Sequence, residues 1–135
     1  MRIEFSVEGL DELEHMFANF DKKLERTTAA MVKAGAKEAV KAYKASIRSH
    51  GHVETGDMLE SVGPGKLHEN GGEVYQEVYP KGQDRRGVDN YLKAKRANFG
   101  TSKRAGSRFV DQAYDEAQEP VAEAMEKVFE KQMGG

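Results

Sequence analysis

The chain has 135 residues, a formal net charge of −2 and no cysteine, so its length predicts one domain spanning residues 1–135. Its 38% hydrophobic and 33% charged residues are typical of a globular domain, and the lack of cysteine excludes disulfides and thiolate metal sites. No segment approaches the roughly 18 apolar residues of a membrane helix, and no apolar stretch follows Met1 as in a secretory signal, so we expect no membrane contact.

The N-terminal half predicts one strand and two helices. Apolar and polar residues alternate over residues 2–8, which is the period of a half-buried strand. Apolar residues then recur at three- and four-residue steps, which predicts a short helix over 10–20 and a long helix from about 22 to 48. Asp21 could cap the long helix. Gly35 inside it is explained if another backbone packs closely there, since glycine otherwise costs about 1 kcal/mol in a helix.

A β-hairpin is predicted from Val62 to Tyr79. Its turn is Asn70-Gly71-Gly72, because these residues accept positive φ. Pro64 indicates that the first arm is irregular or lies at an edge, and Pro80 ends the second arm. The polar run over residues 81–90 then predicts a mobile loop.

The C-terminal part predicts a short helix over 91–99, an exposed loop over 100–106 and a last helix from about 107 to 133. Pro120 lies within the last helix, where proline removes a hydrogen bond, so we expect a kink there or a break and restart. Together the elements predict an α+β fold. Its small antiparallel sheet, formed by the N-terminal strand and the hairpin, packs against the long N-terminal helix and a C-terminal helix.

Catalytic signals are weak. His50, His52 and Glu54 lie close together and His68 follows, and imidazoles with a carboxylate could bind a metal. Their spacing matches no established ligand pattern, so we interpret them as solvated loop residues. No serine lies in a nucleophile elbow and no Walker-type loop is present. We therefore predict no enzyme activity, no cofactor and no metal site, and a small hydrolase using the histidines is only a third hypothesis.

Charge is divided unevenly along the second half of the chain. Residues 81–108 hold nine basic and two acidic residues, a net charge of +7, whereas residues 109–135 hold two basic and seven acidic residues, a net charge of −5. Three interpretations remain open: solvated faces of one domain, self-association of a basic loop with an acidic helix of the next subunit, or contact with nucleic-acid phosphates. The candidate interface residues are Lys81, Arg85, Arg86, Lys93, Lys95, Arg96, Lys103 and Arg104.

Two segments carry a family resemblance. The first is Thr55-Gly56-Asp57-Met58-Leu59-Glu60-Ser61-Val62, and the second runs from Val78-Tyr79-Pro80-Lys81-Gly82 through Asn98-Phe99-Gly100-Thr101 to Phe109 and Ala113. Their order resembles the gene-product-ten-like morphogenesis family of HK97-type siphophages. Its members show a long helix, a T-G-x-L-x-x-S-I segment, a hairpin ending in Y-P-x-G, an aromatic-Gly-Thr turn and a final helix opened by an aromatic residue. Met58 stands where leucine is usual, and Asn98 stands where glutamate is common.

The resemblance covers about residues 20–130 and implies an α+β protein of the virion neck or upper tail. Such a protein would be made in the host cytoplasm and act in tail completion or head–tail joining, as a ring. Its implied partners are further copies of itself and neighbouring connector or tail proteins, with DNA passing through the channel without sequence-specific binding. The alternative is a nucleic-acid-binding module that uses the basic segment 81–108.

The residues of the resemblance have structural interpretations. Thr55 could accept a backbone hydrogen bond where a short helix begins at Asp57, and Gly56 would permit a tight approach. Gly100 would take positive φ between a buried Phe99 and an exposed Thr101, and Phe109 would anchor the last helix to the sheet. The full set comprises Thr55, Gly56, Met58, Ser61, Pro80, Gly82, Phe99, Gly100, Thr101, Phe109 and Ala113.

Overall fold

The computed structural model describes residues 2–7, 21–70 and 73–134. Their elements in chain order are β1 (Ile3–Val7), α1 (Asp21–Ser49), α2 (Asp57–Ser61), β2 (Val62–Pro64), β3 (His68–Asn70), β4 (Glu73–Pro80), α3 (Asn90–Phe99) and α4 (Phe109–Met133). The long helix predicted from 22 to 48 is confirmed as α1. The short helix predicted over 10–20, and Gly71 and Gly72 of the predicted turn, lie outside the described residues.

The antiparallel sheet is built around β4. Strand β1 pairs with one edge of β4, with Ile3 opposite Val78, while β2 and β3 follow one another along its other edge. Between β2 and β3, residues 65–67 lie opposite only two residues of β4, which makes a β-bulge. The predicted hairpin is therefore confirmed, and its first arm is interrupted after Pro64, as the proline indicated.

The core lies where α1 crosses the sheet and α4 packs along α1, which confirms the predicted α+β class. Gly35 lies where α1 faces side chains of α4. A Cβ added there would lie 3.0 Å from Val121 Cγ1 and 3.0 Å from Met125 Cε. The glycine therefore makes room for side chains of α4, and not for another backbone as we expected.

Helix α4 continues through Pro120 without a break, so the predicted restart at this residue is wrong. Proline removes the hydrogen bond to the carbonyl of Glu116, but Pro120 lies on the exposed side of the helix, where water can reach that carbonyl. Ala117 and Val121, on either side of the proline, are buried against the core. Packing on this inner face holds both halves of α4 together.

Candidate assembly surface

The Thr55–Val62 motif forms the N-terminal turn of α2, the helix itself and the first residue of β2. Thr55 Oγ1 accepts a hydrogen bond from the backbone N–H of Asp57 (3.3 Å), as predicted. Gly56 has a φ of 84°, and a Cβ added there would meet nothing within 4 Å. The positive φ explains why a glycine stands at this position, and a close approach of another part of the chain, which we expected, does not. Ser61 Oγ donates to the carbonyl of Met58 (2.7 Å), and the Met58 side chain is buried in the core.

Hydrogen bonds from Arg85 to the Asp57 carboxylate connect the two motif segments, which are distant in sequence. We call this pair of residues the clasp. Arg85 Nη2 donates to Asp57 Oδ1 (2.7 Å), and both Nε and the backbone N–H of Arg85 donate to Oδ2 (2.9 Å each). A planar guanidinium suits such a bidentate contact. The hydrogen bonds from Arg85 hold the pKa of the Asp57 carboxyl well below its ordinary range. The backbone N–H of Lys81 also donates to the carbonyl of Ser61 (3.1 Å).

The segment over residues 81–90 is organised by Asp84, although we expected a mobile loop. Asp84 Oδ1 accepts hydrogen bonds from the backbone N–H groups of Arg86 (2.8 Å) and Val88 (2.9 Å), and its Oδ2 accepts from Lys93 Nζ (2.7 Å). The buried Asn90 donates through Nδ2 to the carbonyl of Lys81 (3.0 Å). Two of these four donors, the N–H groups of Arg86 and Val88, are backbone groups of the loop itself, so the loop has a defined conformation.

The Gly100 turn connects α3 to α4. Gly100 takes the predicted positive φ (89°) with ψ at 178°, and the chain returns through a backbone hydrogen bond from Thr101 N–H to the Arg104 carbonyl (2.9 Å). Phe99 is 46% exposed, so its predicted burial is wrong. The guanidinium carbon of Arg108 lies 5.0 Å from the centroid of the Phe99 ring, a cation–π contact on the surface.

Asn98 is the residue of this region that the sequence interpretation missed. It is fully buried, and its Oδ1 accepts hydrogen bonds from the backbone N–H groups of Val110 (2.8 Å) and Asp111 (3.4 Å) at the start of α4. The local N-cap residue, Arg108, has a φ of 58° and makes no side-chain cap. The sequence did hold a signal for this role. No Ser, Thr, Asp or Asn stands directly before Phe109, so the start of α4 must be capped by a residue from elsewhere in the chain.

Phe109 anchors α4 to α1, in the core cluster that also holds Ile3, Val62 and Val78 of the sheet. Its ring is fully buried and meets Tyr43 of α1 edge to face, with 6.0 Å between ring centroids. On another side the His52 ring lies 4.9 Å away. Ala113, one turn further along α4, is also fully buried.

The histidines expected in a solvated loop also pack near this anchor. The His50 and His52 rings stack with 6.2 Å between centroids, and His52 Nε2 lies 2.9 Å from Ser107 Oγ. Partial burial, followed by the charge of His50, lowers the pKa of His52. Across the described ranges 2–7, 21–70 and 73–134, no group of three His, Asp or Glu side chains could hold a metal ion.

A comparison with protein families identifies the group to which this arrangement belongs. A family model described as "Bacteriophage HK97-gp10, putative tail-component" matches residues 11–100, which are 90 of the 135 residues. The chain belongs to this family. A search of curated proteins and a search of solved structures returned no match.

The HK97-gp10-like match includes the helices α1, α2 and α3 and the strands β2 to β4, and it ends at the Gly100 turn. As a phage tail component, the protein works with other phage proteins and is part of the virion. Among the described residues, none of the helices is both long enough and apolar enough to cross a membrane.

The eight basic interface candidates of this tail component divide into two groups. Three pair within the chain: Arg85 with Asp57, Arg86 with Glu54 at 3.7 Å, and Lys93 with Asp84 at 2.7 Å. The other five are exposed and make no ion pair to any residue that the structure describes: Lys81, Lys95, Arg96, Lys103 and Arg104. We call this second group the unpaired basic surface, because none of its members pairs with an acidic residue of 2–7, 21–70 or 73–134.

Replacing Arg85 by methionine should raise the pKa of Asp57 towards the ordinary carboxyl value. Because the folded-state pKa is depressed, the clasp stabilises the fold above the unfolded pKa, and this contribution disappears as the pH falls through the folded pKa. The Arg85→Met variant should therefore lose less stability on acidification than the wild type. A carboxyl NMR titration measures the shift, with Arg86→Met as the matched control. An unchanged Asp57 pKa in Arg85→Met would contradict the clasp.

Proposed function

We propose that this tail component is a structural, non-catalytic protein that acts at the neck or upper tail, in tail completion or head–tail joining, as a ring of identical subunits. The observation that carries the proposal is the family membership of the chain. The segregation of exposed charge supports it, since a basic surface on α3 and the Gly100 turn is matched by an acidic helix α4 on the same chain. Complementary surfaces at different places on one subunit give head-to-tail contacts, which form a ring when the rotation between neighbouring subunits closes.

The internal pairing of Arg85, Arg86 and Lys93 changes how such a ring would form. A mobile loop would have to be ordered at each contact, which costs free energy during association. Here the Asp57–Arg85 contact and Asp84 already order residues 81–90, which hold Lys81, and Lys95 and Arg96 lie on the helix α3, so these cations are presented in a preformed arrangement. The same pairing weakens the nucleic-acid alternative, because Arg85 and Lys93 are hydrogen-bonded to carboxylates and Arg86 lies 3.7 Å from the carboxylate of Glu54. DNA would pass through the closed ring without sequence-specific contacts.

Deleting this gene from a phage that carries it should leave filled heads and separate tails in the lysate, with few infectious particles. Electron microscopy of the lysate, together with the plaque titre, measures this outcome. Wild-type protein supplied from a plasmid should restore joined particles, whereas a plasmid with a stop codon early in the gene should not. Intact infectious virions from the deletion strain would refute the proposed role.

A further inference from the structure

The outward face of α3 combines apolar and basic side chains. Asn90, Ala94 and Asn98 are buried on the inner face of this helix. Leu92 and Phe99, seven residues apart and therefore nearly aligned, are 38% and 46% exposed on the opposite face. At helical spacing, Lys95 and Arg96 flank this apolar pair on its two sides, and both are exposed. This face therefore presents two large apolar side chains between two cations that make no ion pair in the described part of the chain, and the guanidinium of Arg108 also contacts the Phe99 ring.

The outward face of α4 has the complementary character. Its inner face is buried against α1 through Phe109, Val110, Ala113, Ala117 and Val121. On the exposed side, acidic residues without an ion pair in the described part of the chain form a stripe: Asp115, Glu119, Glu123, Glu126 and Glu130. Beside this stripe lie exposed aromatic rings at Tyr114 (48%) and Phe129 (41%), with Ala122 between them at helical spacing. Lys127 and Lys131 fall on the other flank of the acids.

These two faces cannot meet within one subunit. The inner residue Asn98 of α3 already contacts the start of α4 through Val110 and Asp111, so the outward face of α3 is directed away from its own α4. We propose that the outward face of α3 binds the acidic outward face of α4 on a second copy of this chain. This inference rests on the proposed ring and supplies its subunit contact.

The choice of a second copy as the partner rests on complementarity of charge and of apolar surface. The cations Lys95 and Arg96 would face the acids, while Leu92 and Phe99 would pack beside the aromatic flank of α4. A desolvated apolar centre supplies binding free energy, and the charges around it fix the register and exclude wrong partners. Because one subunit offers both faces, each copy binds two neighbours.

A charge exchange tests this contact. In the complemented gene-deletion strain, the double variant Lys95→Glu/Arg96→Glu should lower the plaque titre by about a hundredfold, since like charges across an interface cost several kcal/mol. The double variant Glu119→Lys/Glu126→Lys should have a similar effect. The chain with all four exchanges should recover the titre to within about tenfold of the wild type, because each contact again joins opposite charges. The matched control is Lys33→Glu/Lys37→Glu on the exposed side of α1, which should leave the titre unchanged.

A second measurement separates folding from assembly and this contact from the proposed function. The purified variants should keep the wild-type circular dichroism and melting temperature, since all the exchanged side chains are exposed. Because the chain contains no cysteine, Leu92→Cys and Ala122→Cys can be introduced in one chain and cross-linked in particles, with Lys37→Cys replacing Ala122→Cys as the control. We expect linked dimers and higher multimers only from the first pair.

Each outcome decides one of the two proposals. Failure of the four-exchange chain to recover, or an unchanged titre in both double variants, would overturn the α3–α4 contact while the joining role could still stand. Recovery of the titre together with specific cross-linking would support the contact. A deletion strain with a defect other than unjoined heads and tails would refute the joining role, and it would leave the contact supported.

Discussion

Replacing Gly100 by alanine should destabilise the protein by about 3 kcal/mol or more, because two penalties add at this position. The backbone has a φ of 89° and a ψ of 178°, a region that is essentially restricted to glycine. A Cβ would also lie 2.6 Å from the Arg104 carbonyl oxygen and 2.6 Å from the Gly106 nitrogen. Both are backbone atoms of the same turn, so relief requires the turn itself to open. Urea unfolding of the purified variant measures the loss.

Gly87→Ala is the matched control for this prediction. Gly87 also has a positive φ (79°), but a Cβ added there would meet nothing within 4 Å. The control should therefore lose only the stability that the positive φ costs, about 1 kcal/mol. Equal losses in the two variants would mean that the close backbone approach at Gly100 contributes nothing.

Replacing Asn98 by alanine should cost about 2 kcal/mol, because two backbone N–H groups at the start of α4 lose their acceptor in a buried place. Asn98 has no exposed surface, and no water can readily replace its Oδ1. The amide protons of Val110 and Asp111 should exchange with solvent faster in the variant, while those in the middle of α1 should change only with global stability. Hydrogen exchange followed by NMR separates these two effects.

Asn98→Asp is the conservative companion, because aspartate keeps an oxygen acceptor at the positive end of the helix dipole. It should protect the Val110 amide better than Asn98→Ala does. If Asn98→Ala unfolds within about 0.5 kcal/mol of the wild type, the range of an ordinary surface substitution, then the proposed cap across the chain is wrong.

The regular elements were predictable because burial imposes a period on the sequence. The inner face of α1 is occupied by Val32, Ala36, Ala39, Tyr43 and Ile47 at three- and four-residue steps, and this periodicity identified the helix. The inner face of β4 likewise alternates, with Val74, Gln76 and Val78 buried. Pro64 also marked the interrupted strand correctly, since a missing N–H restricts proline to edges and bulges.

The features that were missed depend on contacts between distant residues. The apolar Phe99 is exposed and the polar Asn98 is buried, the reverse of what their chemistry suggests. The reason is that α4 begins beside α3, where a backbone N–H at the start of α4 requires a buried acceptor. The loop over 81–90 was expected to be mobile because it is polar. Its order comes from Asp84 and from the clasp to Asp57, and no local pattern links residue 57 to residue 85.

For the basic candidate residues too, the sequence predicted one part of the result and the structure was required for the other. Charge counting along the chain identified the basic and acidic segments, but it could not tell a cation that has an acidic partner from one that makes no ion pair with any described residue. Arg85, Arg86 and Lys93 serve the fold or pair locally, whereas Lys95 and Arg96 lie on the outward face of α3. Only the three-dimensional arrangement separates the two groups.

Complementation in extracts tests the joining role most directly. Purified wild-type protein should be added to a lysate of the gene-deletion phage that contains filled heads and separate tails, and infectious particles should be counted before and after. We expect joined particles to appear in proportion to added protein, with no further protein synthesis. A titre that stays at the background level, although the same heads and tails can be joined by an extract of wild-type phage, would contradict the proposed function.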